Sequence, residues 1–154
     1  MLWFDNQAEE AANFYVSVFK KNSKVKQITH YAGEEFPEKK GLVMTVSFEL
    51  NGQEFVALNG GPQFKFTEAV SFQIFCADQE EIDYYWTRLT EGGGEPGPCG
   101  WLKDRYGLSW QVVPEGLADM VGDPDPEKAA RVTKAFMAMS KFDVAALEKA
   151  YAGG

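Results

Sequence analysis

The side chains able to do chemistry are few, and most are neutral. His30 is the only histidine, and a lone histidine is usually a structural or surface group. Cys76 and Cys99 stand far apart without the Cys-x-x-Cys spacing of a redox or metal site. Cys76 lies in an apolar run and reads as a core filler, whereas Cys99 lies in the loop Pro96-Gly97-Pro98-Cys99-Gly100. Lys103 and Arg105 follow it, and a catalytic thiolate needs such electropositive neighbours. Glu49 becomes a general base only if a cavity desolvates it; beside Asn51-Gly52 it reads equally as a solvated strand end.

The more informative pattern is alternation. Ser71, Gln73 and Phe75 share one side of a strand, while Val70, Phe72, Ile74 and Cys76 share the other. Ser109, Gln111 and Val113 repeat the pattern further on, beside Trp101 and Lys103. Apolar walls with a few placed hydrogen-bonding groups are the usual lining of a small-molecule site. A polar sheet face meeting solvent gives the same pattern. Phe64-Lys65-Phe66 and Trp101-Leu102-Lys103 add aromatic walls and a cation for an anionic ligand, or else core aromatics with snorkelling lysines.

The elements that must hold these groups come in two similar sets. Leu2 to Phe4 is a short strand, and Asn6 with Glu9 has capping-box spacing for a helix to about Phe19. Lys24 to Tyr31 is a strand; Leu42 to Leu50 alternates apolar with polar residues, and Asn51-Gly52 turns it into a return strand over Glu54 to Leu58. Ala69 to Cys76 restarts the pattern. Asp78 with Glu81 caps a helix to about Thr90, Gly92 to Gly94 end it, and Trp101 to Lys103 pairs with Leu108 to Val113. Glu9 to Tyr15 aligns with Glu80 to Trp86 at an offset of about 71 residues, which reads as a duplicated βαβββ unit. The expected organisation is a first module over 1–62, a second over 69–113 and a helical tail over 114–154. In the tail, Asp123-Pro124-Asp125-Pro126 opens a helix to about Met139. Asp143 caps a last one, with Phe142 and Leu147 at hydrophobic-staple spacing and Met137 and Met139 as packing residues.

Bulk composition narrows the partners. The 154 residues carry a net charge of −8, with no basic stripe to displace counterions from a nucleic acid. No apolar run is long enough for a membrane span, and no signal peptide precedes the first strand. Two cysteines without secretion signals fit a reduced, cytoplasmic protein.

Several blocks together resemble one family. Leu2-Trp3-Phe4-Asp5 with Ala8-Glu9-Glu10-Ala11, then Ala57-Leu58-Asn59-Gly60-Gly61-Pro62, resemble the opening of PhnB-like proteins. Asp83-Tyr84-Tyr85-Trp86, Cys99-Gly100-Trp101-Leu102-Lys103-Asp104 and Ser109-Trp110-Gln111 continue the likeness, which Asp123-Pro124-Asp125 extends into the tail. That family, often labelled "3-demethylubiquinone-9 3-methyltransferase domain", belongs to the vicinal-oxygen-chelate (glyoxalase/bleomycin resistance/dioxygenase) superfamily. The resemblance implies an α+β fold: paired βαβββ modules forming a curled mixed β-sheet cup with a C-terminal helical tail, completed in a homodimer.

The resemblance also locates the superfamily's metal positions, where His and Glu surround a divalent ion. Counting from Phe14, the first falls just before Met1; the others fall near Ser71, at Ala57 or Asn59, and at Gln111. Ser71, Asn59 and Gln111 are neutral donors, poor partners for a divalent transition metal. The expectation is therefore a metal-free protein that binds a small molecule, with no cofactor, nucleic-acid partner or membrane partner. Its expected binding residues are Asn59, Ser71, Gln73, Phe75, Trp101, Lys103, Ser109 and Gln111. The alternative is an enzyme acting on a small oxygenated metabolite, of glyoxalase or dioxygenase type. A third reading makes the tail helices an interaction module.

Overall fold

A computed structural model describes all residues, Met1 to Gly154, which form two compact units over 1–66 and 67–154.

In the first unit β1 (Leu2–Phe4) leads into α1 (Ala8–Val18), followed by β2 (Lys24–His30), a 3-10 turn at Pro37–Lys39, β3 (Val43–Leu50) and β4 (Gln53–Asn59). The sheet order is β1-β4-β3-β2, with β1 parallel to β4 and the other pairs antiparallel. Alternation in β3 sends Val46, Phe48 and Leu50 into the core. There they meet Ala8, Ala11, Ala12, Tyr15 and Val18 of α1, all fully buried. Small alanines let the helix approach the sheet, and Tyr15 stacks on Phe48 at 6.2 Å between ring centres. Burying a side chain of Phe48's size contributes roughly 1.5–3 kcal/mol. At the Asn51-Gly52 turn both residues take the left-handed φ that a two-residue hairpin needs.

The second unit repeats the plan. β5 (Ser71–Cys76), α2 (Gln79–Thr90), β6 (Glu95–Pro96), β7 (Trp101–Lys103) and β8 (Ser109–Pro114) form a sheet ordered β5-β8-β7-β6. Here β5 is parallel to β8, as β1 is to β4. The tail belongs to this unit: α3 (Leu117–Val121), α4 (Pro126–Met137) and α5 (Val144–Ala152). Asp125 and Asp143 cap the last two helices as expected, and Phe142 and Leu147 are both buried.

Three features differ from the sequence expectation. The side chain of Asn6 does not cap α1; the helix starts from Gln7, and Asn59 at the end of β4 accepts the Ala8 N–H at 2.8 Å. The edge strand β6 and the five-residue α3 were not expected, both too short for any periodicity to show. Trp110 faces the core beside Phe72, on the side of β8 opposite Ser109 and Gln111. Met137 is 63% exposed, so it is not a packing residue.

Candidate functional site

Strand pairing in the second unit decides which polar groups meet. Ser71 lies opposite Ser109, Gln73 opposite Gln111, Trp101 opposite Gln111 and Lys103 opposite Ser109. Ile74, Cys76, Leu102, Trp110 and Val112, which alternate with them, are buried on the α2 side. Seven of the expected residues, Ser71, Gln73, Phe75, Trp101, Lys103, Ser109 and Gln111, therefore share the face turned away from α2. Asn59 is not among them. It sits in the first unit, donating to the Val43 carbonyl at 3.0 Å and accepting from Ala8, so its amide ties β4 to β3 and α1.

Three of the seven form a closed polar row. Gln111 donates to Ser71 Oγ at 2.9 Å and accepts from Gln73 Nε2 at 3.3 Å. Phe75 is 58% exposed at the end of that row.

The other three line a cavity of about 400 Å³ together with Glu68, Glu95, Pro96, Gly97, Pro98, Cys99 and Leu102. Trp101 and the two prolines supply apolar wall. Ser109 is 1% exposed, and its Oγ has no hydrogen-bond partner in the protein. Buried hydroxyls are almost always paired, so an orphan on a residue of a cavity lining points to a place for a ligand group or a water. Lys103 is already spent: its ammonium donates to Glu68 at 3.2 Å and to Glu95 at 3.1 Å. Its hydrogen bonds to Glu95 and Glu68 hold its pKa above the ordinary lysine value. Glu68 lies below the usual carboxylate range, through its own backbone N–H first and Lys103 second.

The tail holds one wall of this cavity. Cys99 N–H donates to the Met139 carbonyl at 2.8 Å and Gly100 N–H to the Ser140 carbonyl at 2.7 Å. Ser140 Oγ donates back to the Gly97 carbonyl at 2.6 Å. A side chain at Gly100 would meet the Phe142 ring at 2.3 Å, so the glycine permits the tail to seat against the loop. The Cys99 thiol donates to Met137 Sδ at 3.9 Å, with no hydrogen bond to Lys103 or Arg105.

Other candidates fall outside the cavity. His30 ends β2 opposite Val43, and Glu49 faces Lys24 across β2 and β3. Phe64 and Phe66 pack edge-on against Trp3 and Phe4 at 4.9 and 5.3 Å, so they clamp β1. Sequence reasoning missed Glu68, Glu95, Pro96 and Pro98 as cavity residues. They lie in loops or on a two-residue strand, where no periodicity assigns a face. It also missed Asp104, buried in the β7–β8 turn, which accepts the N–H groups of Tyr106 and Leu108 and the Trp110 indole at 2.8, 3.1 and 2.8 Å.

The sequence matches the model of a family described as 3-demethylubiquinone-9 3-methyltransferase over residues 1–113. The chain belongs to that family. A PhnB protein from Bacillus cereus with the same description is 38% identical, with a TM-score of 0.63 over 73% of this chain and 95% of that one. Protein PA1353 from Pseudomonas aeruginosa, at 18% identity and a TM-score of 0.60, covers 74% of this chain and 93% of its own and shows the shared fold. No curated protein matches the chain. This PhnB-like chain thus has the vicinal-oxygen-chelate fold, and the family match ends before the tail.

Neither group implied by these names fits the residues present. The residues that the resemblance sets at metal positions are neutral: Ser71 and Gln111 are hydrogen-bonded to each other, and the Asn59 amide is spent on backbone. No three His, Cys, Asp or Glu side chains gather where they could hold an ion. A nucleotide-type methyl donor is usually cradled by a glycine-rich turn from strand into helix. Here those turns are Asp5-Asn6-Gln7 and Ala77-Asp78, while Gly92 and Gly93 follow the end of α2.

Proposed function

We propose that this PhnB-like protein binds a small organic molecule without a metal, in the cavity bounded by Trp101, Lys103, Ser109, Pro96 and Pro98. The observation that carries the reading is the Ser109 hydroxyl, buried and unpartnered on a residue of the cavity lining. An unmade hydrogen bond in such a place costs about 1–3 kcal/mol, which a ligand group recovers. The polar row of Ser71, Gln73 and Gln111 lies on the same face. Homodimer formation and a cytoplasmic location belong to the same proposal. The two free thiols accord with a reducing compartment, and no helix is long and apolar enough to cross a membrane.

A fragment library screened by thermal shift and mapped by amide NMR tests this. Binders are expected to perturb Trp101, Ser109 and Leu102, to lose affinity in Ser109→Leu, and to be recovered chemically unchanged. Circular dichroism of Ser109→Leu checks that the variant still folds. Binders that map elsewhere would overturn the reading. Recovery of a converted product would favour the enzyme alternative.

A further inference from the structure

We propose that this cavity selects cationic ligands: a positively charged nitrogen carried on a flat apolar body. The inference rests on the cavity being the binding site. It follows from counting which charges there are already spent.

Glu68, Glu95 and Lys103 are the charged residues of the lining. Lys103 lies between the two carboxylates, 3.2 Å from one and 3.1 Å from the other, and leaves one negative charge uncompensated. An incoming anion would have to break a lysine–carboxylate pair and then face the freed carboxylate. An incoming cation joins the excess carboxylate and leaves both pairs intact. The net charge of −8 on the chain adds a long-range field of the same sign. Trp101 provides an indole surface in the same lining, and a cation over an indole ring gains further attraction.

The second, independent observation is Ser109. Its buried hydroxyl can accept an N–H or donate to a ligand oxygen, and nothing in the protein competes for it. The remaining lining, Pro96, Gly97, Pro98, Cys99 and Leu102, is uncharged and suits a flat apolar body. The lysine that the sequence offers as an anion-binding group thus becomes, once folded, part of a site with the opposite preference.

Three probes of one shape separate the possibilities: naphthylmethylamine, naphthylmethanol and naphthoate, titrated at neutral pH with the Trp101 indole N–H followed by NMR. The amine is expected to bind about tenfold tighter than the alcohol, with the carboxylate weakest. Glu95→Gln and Glu68→Gln, at exposed positions, are expected each to remove most of the amine's advantage over the alcohol. Added salt should shrink it too. If the carboxylate binds as well as the amine, the charge preference is wrong while the binding site stands. If no probe moves Trp101 at any concentration and fragment screening also finds nothing there, the site itself is wrong and the preference falls with it.

Discussion

Gln111 on β8 donates its side-chain N–H to Ser71 Oγ on β5, 2.9 Å away across a parallel strand pair. Both are positions that the resemblance assigns to metal ligands, and both side chains are neutral and hydrogen-bonded to each other. Titration with Zn²⁺, Ni²⁺ or Mn²⁺ followed by calorimetry is accordingly expected to show no stoichiometric site. Tight one-to-one binding abolished by Gln111→Ala or Ser71→Ala would contradict this.

Ser109 is expected to trade stability for binding. Removing an unsatisfied buried hydroxyl relieves its desolvation penalty, so Ser109→Ala should be more stable by about 1 kcal/mol in urea unfolding. The same variant should bind cavity ligands less tightly. A destabilised Ser109→Ala would mean that the hydroxyl has a partner after all.

Asn59 should behave as a structural residue. Its amide accepts from Ala8 N–H at the start of α1 and donates to the Val43 carbonyl. Asn59→Ala is expected to cost about 1–2 kcal/mol, comparable to losing a helix cap. Affinity at the Trp101 cavity should be unaffected. A variant of wild-type stability with impaired binding there would reverse the assignment.

The two thiols should differ sharply. Burial, with Glu81, Asp78 and Glu115 nearby, pushes the Cys76 thiol up to about 12. Cys99 is half-buried at the cavity. A thiol reagent applied to the native protein at mildly alkaline pH should modify Cys99 and spare Cys76 until the protein unfolds. The raised pKa also sets a sign. Above the ordinary value of 9.0 the unfolded chain releases the Cys76 proton while the folded chain keeps it, so stability falls from there toward about 12. Cys76→Ala should flatten that part of the pH–stability curve. Equal reactivity of both thiols in the native state would refute the assignment.

Much of the fold was legible because its signals are local. Period-two alternation marked β3, β5 and β8, and Asn51-Gly52 marked the hairpin. Asp78, Asp125 and Asp143 announced their helices by cap chemistry that operates within four residues. The same alternation grouped Ser71 with Gln73 and Ser109 with Gln111, since residues two apart on a strand must point the same way; the strand register then joined the two groups and Trp101 on one face. The amide of Asn59 was harder. An asparagine at a strand end looks the same whether it meets a ligand or reaches a helix start 51 residues earlier in the chain.

The residue order by itself determined the duplicated strand and helix pattern, the chain's acidity, and the neutral character of Ser71, Asn59 and Gln111. Tertiary structure decided which of those groups remain available. Lys103 is spent because Glu95, its cross-strand neighbour on β6, and Glu68, in the loop before β5, both reach it, and the Gln111 amide is spent on Ser71 and Gln73. Ser109 is left over because strand pairing buries it with no donor or acceptor in reach. Hydrogen bonds and ion pairs form between groups brought within about 3 Å, and only the folded chain sets those distances.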